Sequence, residues 1–182
     1  MNNSVKSSTF RIAFCSVIAA LSVVLMLVTS FIPIGTYALP CFSGILIVAV
    51  VIEYGWKWAA AVFAAVSLLS LFISADKEAV LYFIALFGYY PILKGVFEKH
   101  IKNRVLQYIL KFVVFNAAAI LSFFIATLLL SVPLEEFEIF GVYLPALFLL
   151  TGNVFFAFYD YAITVIVSQY VLKIRDKIFR KS

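Results

Sequence analysis

Asp160 stands in the middle of a long apolar stretch, where an ionisable group is costly and normally faces a partner, a cavity or a transported ligand. Asn153, Ala157, Asp160, Thr164 and Ser168 recur every three or four residues. On a helix they form one polar or small stripe, with Phe155, Phe156 and Phe158 directed elsewhere. The stripe is expected to look into a helix bundle. The preceding apolar stretch carries Lys111 about one and a half turns from its start and Asn116 about three. Were the two stretches to run antiparallel side by side, Asp160 would lie near the depth of Asn116, with Lys111 in reach. Two chemistries fit those residue types. Lys111 and Asp160 can form a structural ion pair, with Asn116 in an interhelical hydrogen bond. Alternatively, Asn116, Asn153 and Asp160 line a ligand pocket or an ion path.

Elsewhere the sequence offers little chemistry. It contains no P-loop, no paired metal-ligand motif, no Gly-x-Ser-x-Gly elbow and no His-Glu-x-x-His. The single histidine, His100, falls in a basic loop and reads as a solvated residue. Cys15 and Cys41 lie in or beside apolar stretches and make no disulfide framework. No catalytic residue, metal or cofactor is therefore expected, and the chain cannot drive transport with an ATPase of its own.

The elements that hold these residues follow from composition. Of 182 residues, 65% are hydrophobic and 13% charged, with twenty Phe, ten Tyr and two Trp. Mean hydropathy is +1.12. A chain this short has too little interior to hide that surface from water. The reading is an all-α polytopic membrane protein, a single transmembrane domain over 1–182, whose main partner is the lipid bilayer. The formal charge of +5 marks orientation, and no nucleic-acid partner is expected. Six spans are drawn at about 10–32, 37–52, 58–75, 79–93, 105–132 and 143–172, the second and fourth being short. Their continuous apolar character excludes barrel strands.

With six crossings every lysine and arginine except Lys77 falls on one side, counting Lys111 with the end of its helix. Asp76, Glu78, Glu135, Glu136 and Glu138 fall on the other. That bias places both termini in the cytoplasm of a cell membrane protein. The first segment has a long apolar core and no Ala-x-Ala site, so it reads as an uncleaved helix. Gly88, Tyr89, Tyr90 and Pro91 close the fourth segment as an interfacial belt and helix stop. Ser16 and Ala20 in the first segment, and Ala60/Ala64 and Ala61/Ala65 in the third, are small pairs that permit close helix approach.

From Arg11 onward a basic residue, a first helix with Ala13, Ser16, Ala19 and Ala20, a turn at Ile32, Pro33 and Ile34, and a second apolar run to Leu46 follow in order. In this, and in its six-span layout, the chain resembles the substrate-specific (S) components of energy-coupling factor (ECF) transporters. The resemblance implies a subunit that binds a vitamin-like small molecule from the outer side. It further implies docking on a membrane coupling subunit driven by two ATPases. By position Ser16 and Ala20 would be the docking pair, Ser16 standing where the family usually has alanine, and residues 33–37 the outer lid. The rival readings are a structural or scaffold protein of the envelope, and an ion-coupled carrier using Asp160.

Overall fold

The computed structural model describes residues 3–32, 35–129, 138–139, 142–143 and 145–174. In order these form α1 (Asn3–Val28), α2 (Gly35–Tyr54), α3 (Trp56–Ile73), α4 (Lys77–Tyr82) with a π turn Phe83–Phe87, α5 (Tyr90–His100) and α6 (Arg104–Leu128). The short strands β1 (Glu138–Ile139) and β2 (Val142–Tyr143) follow, then α7 (Pro145–Gln169), which ends in a second π turn, Tyr170–Ile174. Among the described residues the all-helical expectation holds apart from that short antiparallel pairing, Glu138 opposite Tyr143 and Ile139 opposite Val142.

Among the described residues, six helical stretches are long and apolar enough to cross a membrane: Ser8–Val28, Gly35–Tyr54, Trp56–Ile73, Lys77–His100, Arg104–Leu128 and Leu147–Lys173. The second and fourth are longer than the sequence suggests. At about 1.5 Å per residue, the 20 residues of α2 reach about 30 Å, one hydrocarbon thickness. The fourth gains its length because Pro91 does not end it. Pro91 falls in the first turn of α5, where a missing N–H is harmless, and the π turn bridges back to α4 through Gly88 N–H donating to Phe83 O at 2.7 Å. Gly88 is also the point of closest approach, since a Cβ there would meet the Phe63 and Phe83 rings at 2.8 Å. Of the expected outer lid at 33–37, Gly35, Thr36 and Tyr37 instead begin α2.

The chain divides into two compact units, Met1–Arg104 and Val105–Ser182. In the first, α1, α2 and α3 pack on one another, and the α4–α5 arm packs on α2 and α3. Met26, Ile47, Val50, Ala59, Val66 and Phe83 are closed off completely. Polar glue runs between the apolar contacts: the Ser22 hydroxyl donates to Ser43 O and the Ser43 hydroxyl to Ser22 O, each at 3.4 Å. Hydroxyls that bond across helices in this way compensate their own burial. The buried edge of α3 is Ala59, Val62, Val66 and Ser70. Ala61, Ala64 and Ala65 are exposed, so the alanine pairs do not make the internal packing.

One end of this unit is closed by side chains. Asp76 caps α4 through Ala79 N–H at 2.9 Å and accepts from the Thr36 hydroxyl at 3.0 Å. Glu78 Oε1 accepts from Tyr82 at 2.6 Å and Tyr37 at 3.2 Å, and the two tyrosine rings stack at 4.9 Å. Lys77 donates to the terminal carbonyls of Leu71 and Ser74, both at 2.7 Å. The opposite end turns from α2 to α3 through Gly55 alone, at φ 80° and ψ 177°.

In the second unit α6 and α7 meet along a seam. Lys111 faces Asp160, Phe112 and Phe115 face Phe156, and Asn116 faces Asn153 across it, Lys111, Phe115, Phe156 and Asp160 being buried. Glu135 and Glu136 of the expected outer loop, Pro33 and Ile34 of the lid, and Arg175, Lys177, Arg180 and Lys181 lie outside the described residues.

Candidate functional site

The seam of the second unit brings together most of the residues singled out from sequence. Lys111 Nζ donates to Asp160 Oδ1 at 3.2 Å, and both residues are buried. The ammonium also lies 5.4 Å from the Tyr108 ring centroid, within cation–π range. Four residues further along α6, Phe115 stacks on Phe156 at 4.3 Å and 13°, four residues back along α7. Phe112 meets Phe156 edge-on at 5.2 Å. Beyond the rings, the Asn116 and Asn153 amides bond reciprocally, each Nδ2 to the other's Oδ1 at 2.8 Å. Polar pair, ring stack and amide pair thus follow one another at matching steps on two antiparallel helices.

Each Asn also donates its second amide proton to its own helix, Asn116 to Phe112 O and Asn153 to Leu149 O, both at 2.8 Å. Both donors of both amides are used, so a ligand could engage this pair only by opening it. The ion pair differs, because it borders an open groove of 310 Å³, of whose lining Tyr108, Ala157, Tyr161 and Thr164 are exposed. Tyr108, Phe112, Phe156, Tyr161 and Thr164 wall that space. Its volume is at the lower end of small-molecule sites, which begin at about 300 Å³. A paired ammonium and carboxylate beneath aromatic walls can hold a polar group of either sign.

The structure corrects the expected stripe on α7. Asn153 is half-buried and Asp160 buried, but Ala157, Thr164 and Ser168 are exposed, and Phe156 lies inside the seam. The reason is local. Thr164 donates to Asp160 O and Ser168 to Thr164 O, each at 3.0 Å, so neither hydroxyl needs a neighbouring helix. Asn116 partners Asn153 and not Asp160. The aromatic stack was missed in the sequence, although Phe115 and Phe156 flank the polar residues at helical spacing. In the first unit Ser16 and Ala20 lie on the exposed face of α1, opposite its buried residues Cys15, Ser22 and Met26.

Because each amide answers the other, Asn116→Ala and Asn153→Ala are expected to cost similar amounts. Bonds of this kind between apolar helices are worth about 0.6–1.7 kcal/mol. The double variant should cost less than the two single effects added, as read by unfolding of the purified chain in mixed micelles. Full additivity would mean that the amides do not sense each other.

No protein-family model, curated protein or solved structure matches this chain.

Proposed function

We propose that the chain is a multi-pass protein of the cell membrane, with both termini cytoplasmic, that serves as the small-molecule-binding subunit of an ECF-type micronutrient uptake system. The observation that carries this reading is the 310 Å³ space beside a buried ion pair, on a seam that also holds an aromatic stack and a closed amide pair. Asp160 and Lys111 would orient the ligand, with Asn116 and Asn153 setting the register of the helices beneath it. The exposed Ser16–Ala20 face of α1 supports a docking role toward a membrane coupling subunit. A chain without a nucleotide-binding motif needs such a partner if ATP hydrolysis is to energise it. A second reading, a structural protein of the envelope, draws support from the closure of the Asn116–Asn153 pair on itself.

Affinity purification followed by native mass spectrometry separates the two. Uptake function predicts a coupling subunit, two ATPases and a released small molecule in stoichiometric amounts. Recovery with cell-shape proteins and no small molecule would overturn it in favour of the structural reading. Orientation has its own test. In a background lacking Cys15 and Cys41, Lys77→Cys and Glu136→Cys should react with an impermeant thiol reagent on intact cells, while Lys102→Cys should not. Labelling at position 102 would overturn the topology.

A further inference from the structure

The first unit holds a cationic group that the seam of the second does not involve. Arg11, in the third turn of α1, lays its guanidinium over the Trp58 ring, with Cζ 4.3 Å from the centroid. The ring face holds the flat guanidinium in one plane. Its Nε–H is enclosed by protein and has no hydrogen-bond acceptor among the described residues. Tyr54, the last residue of α2, presents the same problem: its hydroxyl is enclosed and has no partner there either. The Tyr54 ring packs edge-on against Phe14 at 5.8 Å, and Phe14 shares a face of α1 with Arg11 three residues before it. Both orphaned groups therefore sit where α2 passes to α3 through Gly55.

Enclosed N–H and O–H groups are rarely left unanswered in folded proteins. Here both are donors, one is permanently charged, and neither finds an acceptor among the described residues. An anion with several acceptor oxygens would answer both at once and match the charge of Arg11, although one Glu53 carboxylate oxygen is enclosed beside them. Lys57, with its ammonium 5.7 Å from the Trp56 ring, adds positive charge to the same turn, and with Arg11 it outnumbers the single carboxylate of Glu53. We infer that Arg11 and Tyr54, braced by Trp58, form a binding site for a phosphate-type oxyanion. The tetrahedral group offers one oxygen to the Arg11 edge and another to the Tyr54 hydroxyl, a geometry suited to arginine. It can be supplied by the headgroup of an anionic phospholipid or by free phosphate.

Trp56 and Trp58 are the only tryptophans in the chain, so its selectively excited tryptophan fluorescence reports on this corner alone. The purified full-length chain in detergent is titrated with phosphatidylglycerol and, separately, with inorganic phosphate. A saturable change is expected, weakened about tenfold or more in Arg11→Gln and about threefold in the near-isosteric Tyr54→Phe. A response to the lipid alone identifies the headgroup as the source; a response to both identifies a soluble oxyanion. Absence of any response, or equal affinity in native chain and Tyr54→Phe, overturns the site. Tyr54→Phe keeps the test decisive should Arg11→Gln fail to fold, and neither variant touches the Lys111–Asp160 seam.

Discussion

Lys111→Met is expected to lower the stability of the purified chain by about 3–5 kcal/mol, because it leaves the Asp160 carboxylate buried without its counter-charge. Asp160→Asn should act in the same direction and more gently, since an amide oxygen can still accept from Lys111. The informative variant is the double one. With both charges gone, neither group is left uncompensated, and the loss should be smaller than that of Lys111→Met alone. A positive coupling at the upper end of the range for contacting residues, about 2–3 kcal/mol, would express the 3.2 Å contact as energy. Unfolding in mixed micelles measures it. Strict additivity would show that the pair does not hold the seam. Ligand binding gives the complementary reading: loss of the copurified molecule in Asp160→Asn, at nearly unchanged stability, would place Asp160 in direct contact with it.

Gly55→Ala is the second large effect, and its cause is entirely in the backbone. At φ 80° and ψ 177° the residue occupies a region open in practice to glycine alone. A Cβ there would meet nothing within 4 Å, so no clash contributes. The expected cost is about 1–3 kcal/mol. Gly55→Asn discriminates between two kinds of strain. Asparagine tolerates the left-handed helical region, where ψ is about 47°, but not this one. Ala and Asn should therefore be about equally destabilising, as read by the unfolding midpoint of each purified variant. A clear advantage for Asn would mean that the turn relaxes into the left-handed helical region.

Much of this was legible because helical geometry converts residue number into depth. Lys111 sits a short way into α6 and Asp160 well before the end of α7, and opposite chain directions bring those depths together. The same arithmetic placed Asn116 beside Asp160, whereas the structure pairs it with Asn153, a slip of about two turns that side-chain length and the Phe115–Phe156 stack decide. Helix faces were harder to read than depths. A serine or threonine in an apolar helix counts as polar in a sequence pattern, but Ser122, Thr127, Thr151, Thr164 and Ser168 each donate to a carbonyl four residues back in their own helix. Such hydroxyls carry no information about which face is buried. Ser22 and Ser43 bond across helices instead, and nothing in their spacing distinguishes them. The fourth span was drawn too short because Gly88 and Pro91 read as a stop. The π turn before them lets the chain continue.

The ion pair also has a consequence in time. Lys111 and Asp160 are 49 residues apart, so a ribosome adding about 5–20 residues per second delivers the carboxylate roughly 2–10 s after the ammonium. On the proposed topology α6 must enter the bilayer during that interval carrying a lysine whose partner has not been made. Its apolar surroundings, with a mean hydropathy of 2.2 in the most apolar 18-residue window, oppose a penalty that would reach about 2.5–3.5 kcal/mol at the middle of a span and is smaller nearer its end. α7 brings an aspartate with a penalty of the same kind, but it arrives where a counter-charge is already waiting. The first helix of the pair is thus selected to insert alone, and the second to insert against its predecessor.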